Sequence, residues 1–184
     1  MSVRHPWARF LALLIDWVCI LAWVAVTAAV GIPLYLTGAI GPVSPFALNV
    51  IAGAVMVVPV TIALAALEST AGHASLGKRV MGLVVVRAGG DAPVRFPRAL
   101  GRTALKIALP WTLGHAAVIG LSASSASDSV PAPIAVLTAA AYVLPIAYIV
   151  SLFLGSGRTP YDRICATKVI AAASGRRTPP RSRR

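Results

Sequence analysis

The chain has 184 residues, 58% of them apolar and 12% charged, with 17 Lys and Arg against 5 Asp and Glu for a formal net charge of +12. Soluble domains average roughly 45–50% apolar and about 25% charged residues. The balance excludes a disordered basic chain, which is poor in apolar residues, and an ordinary nucleic-acid-binding domain, which does not carry so much Val, Ile, Leu and Ala. An integral membrane protein with its positive charge outside the bilayer remains.

Residues 17–67, 107–127 and 129–157 contain no Asp, Glu, Lys or Arg. A helix needs about 20 apolar residues to cross a hydrocarbon core roughly 30 Å thick. The first stretch is too long for one span, and Gly31, Pro33, Gly38, Gly41, Pro42 and Pro45 punctuate it as a loop. Four spans are predicted, at residues 10–30, 46–67, 105–121 and 134–154. The third is short and holds Pro110 and His115, so tilting, kinking or partial re-entrance stays open. Arg4 and Arg9 before an apolar run imitate a secretory signal, but a signal's apolar region has about 7–15 residues. This run is longer and contains Asp16, so an uncleaved first span is expected. Cys19 and Cys165 fall in a span and in a cytoplasmic segment, a usage that predicts neither a structural disulfide nor a metal site.

Lys and Arg set the orientation. Two lie before the first span, seven from the end of the second span through Lys106 at the start of the third, and eight after the fourth; the other two connections have none. Cytoplasmic segments carry the Lys/Arg excess. Both termini and the loop 68–104 are therefore predicted on the cytoplasmic side of the membrane. Residues 1–173 form one membrane domain, and 174–184 a basic, disordered tail.

Leu83 to Val86 is a β-prone run, followed by Gly89-Gly90-Asp91 and then Pro93 to Phe96. This reads as a hairpin, with Pro93 confining the second strand to an edge. Residues 166–170 are a further strand candidate, expected to join the pair because a lone hairpin is marginal in water. Residues 122–129 form a polar extracytoplasmic loop. The fold class is thus an all-α, four-span membrane protein with a small cytoplasmic β element.

An ionisable group inside a span is a functional hypothesis by default. Asp16 lies about 9 Å into the first span at 1.5 Å per residue. Arg9, seven residues earlier, points to the same helix face but is too far along the axis for easy contact. Asp162, after the fourth span, lies near the level of Arg9. Two readings stay open. In one, Arg9, Asp16 and Asp162 form an ion, proton or anionic-substrate path. In the other they are a structural clamp, with Arg9 paired to Asp162 and Asp16 held by Trp17, Trp23 or backbone groups of a neighbouring helix.

The stretch from Glu68 to Val86 contains Gly72 and Gly77-Lys78, which invites a phosphate-loop reading. That pattern needs Ser or Thr at position 79, where this chain has Arg79. A short interfacial helix is the physical alternative, with Leu76, Val80 and Met81 facing lipid and Lys78 and Arg79 facing head groups. Arg98, Arg102, Arg158 and Arg163 complete a set expected to meet anionic lipid or a ligand. His115 reads as a hydrogen-bonded structural residue, and Asn49 and Thr61 as interhelical hydrogen-bonding groups. Pro59, Pro110 and Pro145 interrupt backbone ladders inside spans. With no catalytic triad, paired catalytic carboxylates or clustered metal ligands, neither an enzyme nor a cofactor or metal centre is expected.

Arg9-Phe-Leu-Ala-Leu-Leu-Ile-Asp16 resembles the opening motif of the RDD family of small bacterial membrane proteins. Ser75-Leu-Gly-Lys-Arg-Val-Met-Gly82 resembles its central T-L-G-K-R-x-x-G segment, with Ser75 where Thr is usual. Arg98-Ala-Leu-Gly-Arg102 resembles the following A-x-x-R segment. Asp162-Arg-Ile-Cys-Ala-Thr167-Lys-Val resembles the closing D-x-x-x-x-T-x-V motif, with Cys165 where Gly is frequent. The resemblance runs from Arg9 to Ile170 and implies that the eponymous Arg and two Asp are Arg9, Asp16 and Asp162. Transport of unspecified ligands has been proposed for the family, and some members resemble cation/proton antiporters. The expected function is a small transporter, with cation/proton exchange through Asp16, Arg9 and Asp162. The alternative is a non-transporting accessory or assembly subunit of a membrane complex; a homo-oligomer, which the transporter needs for a solute path, or a larger membrane complex is the assembly expected. Bilayer lipid is the expected partner and nucleic acid is not.

Overall fold

A computed structural model describes residues 5–39, 41–125 and 129–172, without the side chains of residues 45, 48, 49 and 52. Arg4, Asp128, the side chain of Asn49 and the predicted tail 174–184 lie outside the described residues. Helix α1 spans Pro6–Leu36. Helix α2 (Pro45–Ala52), a π-helical turn (Gly53–Val57) and α3 (Val58–Ser69) follow one another without a break. The short α4 (Leu76–Val80) leads to strand β1 (Leu83–Arg87). Helix α5 (Phe96–Thr103), a second π turn (Ala104–Ala108) and α6 (Leu109–Ala123) are again continuous. Helix α7 (Ala132–Phe153), the short α8 (Pro160–Ile164) and strand β2 (Thr167–Ala171) complete the described chain.

Three helices are long and apolar enough to cross a membrane: Pro6–Leu36, Phe96–Ala123 and Ala132–Phe153. Only 17%, 11% and 11% of their most apolar windows are buried, so these surfaces need an apolar solvent. The third predicted span, short by itself, belongs to the 28-residue helix Phe96–Ala123. Its α5 turns, drawn in the sequence as loop, are part of the same helix. The apolar helix Gly53–Ser69, which overlaps the second predicted span and runs two residues past it, is shorter than these.

Proline placement explains both π turns. In α3, Pro59 has no N–H for the Val55 carbonyl four residues back. The indole N–H of Trp23, on α1, donates to that carbonyl at 3.2 Å. In the second π turn the Leu109 N–H bonds the Ala104 carbonyl, which leaves the Leu105 carbonyl without its α partner. Its π partner would be Pro110, which has no N–H. The Tyr148 hydroxyl on α7 donates to Leu105 O instead, at 3.0 Å. The gaps at these two π turns are thus closed by side chains from neighbouring helices, as a low-dielectric environment favours.

The β element pairs differently from the local pattern. Strand β1 runs antiparallel to β2, with Val85 opposite Val169 and Arg87 opposite Thr167. The predicted Leu83–Phe96 hairpin is reduced to one bridge, Val86 to Pro93. The reason is physical: Pro93 has no N–H for a ladder, whereas Thr167–Ala171 offers a full edge. Val85 and Val94 pack with Ala65 of α3 and Ala99 of α5 in one buried cluster, flanked by Leu100 and Val169. A second cluster joins Ile20, Leu64 and Ile107 across α1, α3 and the second π turn. Trp17 and Trp111 stack beside it, 6.1 Å between centroids.

Helix α4 lies against α1 through Gly77. A Cβ built there would collide with the Ala12 carbonyl oxygen and stand 3.0 Å from Asp16 Oδ1. Backbone cannot move aside as a flexible side chain can. Gly77→Ala is therefore expected to cost about 1–3 kcal/mol or more through overpacking, read as a lowered midpoint of thermal unfolding in detergent. Gly89→Ala, where a Cβ meets open space, is the matched substitution expected to leave the midpoint nearly unchanged.

Candidate functional site: a buried charge network

The ends of α1, α3, α5 and α7 that flank the basic segments converge. Asp16 comes from α1, Glu68 from the last turn of α3, Arg102 from α5, and Asp162 from α8 just after α7. Asp16, Glu68, Arg102 and Asp162 are each 2% exposed or less. Charges this deep are tolerated only when paired and hydrogen-bonded.

Arg102 is the central residue. Its Nη1 lies 2.8 and 2.6 Å from the two Glu68 oxygens, and its Nε donates to Asp162 Oδ1 at 2.8 Å. Its guanidinium carbon sits 5.2 Å from the centre of the Tyr161 ring, a cation–π arrangement. Arg9 reaches Asp162 from the other side, Nη2 to Oδ2 at 2.7 Å, and also donates to the Gly157 carbonyl. Gly157 adopts a φ of 68°, a conformation that glycine adopts without cost, and this turn presents the carbonyl. The Thr167 hydroxyl donates to Asp162 Oδ1 at 3.0 Å. Burial alone would raise the Asp162 pKa, but the Arg102 and Arg9 guanidiniums outweigh it and hold the carboxyl well below its ordinary value.

Asp16 belongs to the other half of the network. The Ser75 hydroxyl donates to its Oδ2 at 2.7 Å, and the Gly77 N–H to its Oδ1 at 2.9 Å. Lys78 Nζ donates to Ser75 Oγ at 3.0 Å and to Glu68 Oε1 at 2.7 Å, so Glu68 links the two halves. Lys78 and Lys106 ammoniums stand 3.9 and 3.7 Å from Asp16 Oδ2. Burial pushes the Lys78 pKa down, against the pull of Glu68. Between these groups lies a cavity of about 20 Å³, lined by Arg9, Asp16, Lys78, Arg102, Lys106 and Tyr161 among others. That is space for about one water.

Arg9 and Asp162 meet as the clamp reading expects. Asp16 is held by backbone of a neighbouring helix, the Gly77 N–H of α4, as that reading allows, and by Ser75, not by Trp17 or Trp23. Lys78 and Arg102, expected at a head-group surface, are instead buried; their partner Glu68 supplies the physical reason. Leu76 and Val80 of α4 are exposed, at 46% and 71%, as an interfacial helix requires. Arg79 and Arg163 are exposed and Arg98 is partly so. Arg158 turns inward, its Nε donating to Thr167 O at 3.2 Å and its Nη2 to Asp162 O at 3.3 Å. Thr61 is buried, but its hydroxyl has no hydrogen-bond partner among the described residues, so it does not tie helices together in the way expected. Glu68 and Lys106 were not singled out in the sequence. Glu68 had a visible signal, since it ends a long uncharged apolar run in a chain with five acids.

The RDD family matches residues 3–127. The chain belongs to the RDD family. The match includes Arg9, Asp16, Glu68, Lys78, Arg102 and Lys106, and ends before α7 and Asp162. Neither the curated proteins nor the solved structures give a match.

Removing one member of a buried charge pair costs about 3–5 kcal/mol because its partner is left uncompensated. Arg102→Met, which takes one cation from both Glu68 and Asp162 and leaves them only Lys78 and Arg9, is expected within that range. Arg163→Ala, at an exposed arginine, is expected within about 0.5 kcal/mol of the parent. Thermal unfolding in detergent orders the two. The pH dependence has a definite sign. Asp162 has a folded pKa below its ordinary 3.8, so its stabilising contribution is full above that pH and is lost as pH falls through the folded value. The unfolding midpoint should therefore drop less steeply on acidification in Asp162→Asn than in the parent chain.

Proposed function

We propose that this RDD-family chain is a non-transporting accessory or assembly subunit of a bacterial plasma-membrane complex, in which Arg9, Asp16 and Asp162 act as a structural charge clamp. The observation that carries this reading is saturation. Arg9 meets Asp162 at 2.7 Å, and both Asp16 oxygens accept short hydrogen bonds from protein. The adjoining cavity of about 20 Å³ has no room for a cation with its water shell. The clamp binds the β element and α4 to the ends of the helices, as a rigid cytoplasmic cap.

The same reading takes four spans, with both termini and the cap on the cytoplasmic side. The unbroken helical run 45–69 supports the fourth crossing. The absence of Lys and Arg from residues 10–77 and 107–157 supports the sidedness. Anionic lipid head groups are the partners proposed for the exposed basic face. Arg87, Arg95 and Arg98 line a pocket of about 450 Å³ there, with Arg79 and Arg163 also exposed. No catalytic chemistry is assigned to any residue.

One observation favours the second reading, cation/proton exchange. Lys78, Ser75 and Asp16 form a continuous hydrogen-bonded relay beside the one-water cavity. Purified protein in liposomes with an imposed pH gradient separates the two, assayed with Na⁺, K⁺ and Li⁺. The clamp reading expects no ion-dependent proton flux from correctly inserted protein, and one stoichiometric membrane partner on mild purification. Flux abolished by Asp16→Asn, in a variant that still folds and inserts, would establish exchange instead.

A further inference from the structure

A second cavity, of about 350 Å³, opens between α1, the helix Phe96–Ala123 and α7. Small-molecule sites begin at about 300 Å³. Its walls are apolar, with Trp17, Trp111, Pro145 and Ile149, and its polar end is formed by Lys106 and Tyr161. Lys106 also lines the one-water cavity inside the charge network. It therefore stands at the boundary between the network and the cleft.

The Lys106 ammonium is incompletely partnered. Its side chain is only 7% exposed, and its nearest carboxylate oxygen among the described residues, Asp16 Oδ2, is 3.7 Å away. That is beyond hydrogen-bond length, and both Asp16 oxygens already accept from Ser75 and Gly77. An ammonium has three donors, and burying one without an acceptor is costly. The charge count points the same way. Asp16, Glu68 and Asp162 face Arg9, Lys78, Arg102 and Lys106, which leaves one positive charge over. The second π turn places Lys106 at one end of the cleft, and Trp111, Gly114 and His115 continue along it. His115 is about 13 Å further on at 1.5 Å per residue.

We propose that this cleft binds a single-chain amphiphilic anion, a long-chain carboxylate, with its head on Lys106 and its tail along Trp111, Gly114, Pro145 and Ile149. One carboxylate supplies the missing acceptor and cancels the surplus charge. The apolar walls take the chain, and the small volume holds one chain rather than two. The site stands whether the neighbouring network is a clamp or an ion path.

The test uses the full chain in nanodiscs of zwitterionic lipid, with brominated palmitate as the probe and quenching of Trp17 and Trp111 fluorescence as the signal. Saturable quenching is expected. Lys106→Gln should weaken it by about tenfold or more, the loss expected when a charge-assisted hydrogen bond is removed. Gly114→Leu keeps the charge network intact, since a Cβ at Gly114 meets open space, and should abolish saturation by filling the cleft. That variant decides the question if Lys106→Gln does not fold. Brominated methyl palmitate, without the charge, should quench only in proportion to concentration. Quenching by the acid that never saturates, or that is unchanged in Gly114→Leu, overturns the proposal. Equal saturation by the ester overturns the anionic head. Equal saturation by brominated phosphatidylglycerol makes the occupant a two-chain bilayer lipid and overturns the single-chain assignment.

Discussion

Arg102 bridges Glu68 and Asp162, and the other long-range contacts at this end of the molecule are arranged around that bridge. Its guanidinium is 1% exposed, at a depth where an unpaired charge would cost several kcal/mol after relaxation. It is tolerable because its Nη1 lies within hydrogen-bond length of both Glu68 oxygens while Nε serves Asp162. A lysine has no planar fork with which to address two carboxylates in fixed directions. Through Glu68 the bridge reaches Lys78 and α4; through Asp162 it reaches Arg9 and α1, and Thr167 at the start of β2. Segments distant in sequence are thus held by one side chain from α5.

The same logic extends into the apolar part of the bundle. Pro59 and Pro110 each remove a backbone donor, and a π turn precedes each of them. Trp23 and Tyr148 repair the two carbonyls from neighbouring helices. Such repairs are directional contacts between helices whose remaining contact is dispersion. They fix rotation about the helix axis in an environment where the hydrophobic effect gives helices little reason to choose one face over another. The second repair has a consequence at the charge network, because Leu105 is followed by Lys106. Lys106 lies within that π turn, next to the carbonyl that Tyr148 caps.

Much of this was legible in the sequence. The uncharged stretches located the apolar helices, and the spacing of Arg9 and Asp16 on one face marked α1 as a carrier of buried charge. Residues 166–170 read correctly as strand, close to the observed Thr167–Ala171. What could not be read was partnership. Lys78 and Arg102 have the same residue types as a lipid-facing arginine, and only a carboxylate brought in from α3 makes them internal. The β1 partner was misread for the same reason. Gly89-Gly90-Asp91 does turn the chain, and Arg87 N–H bonds Ala92 O at 3.0 Å, but a local turn signal says nothing about a better edge some eighty residues later. The tight approach at Gly77 was equally hidden, since a glycine in a short basic helix looks like a loop residue until Ala12 is placed beside it.

The network also shows why saturation and charge balance are different properties. Saturation concerns donors and acceptors, and each Asp16 oxygen accepts one short hydrogen bond, from Ser75 or Gly77. Balance concerns total charge, and there the cations outnumber the carboxylates. A network can be rigid at one carboxylate and still leave a field at its margin. In a low-dielectric surround that field is little screened, and it is strongest where the ammonium lacks a short contact. Lys106 is that place. Each Asp16 oxygen takes a shorter contact from Ser75 or Gly77, while the Lys106 ammonium stands back at 3.7 Å. The Lys106 ammonium thus stands at the edge of the apolar cleft, with no carboxylate oxygen nearer than 3.7 Å among the described residues.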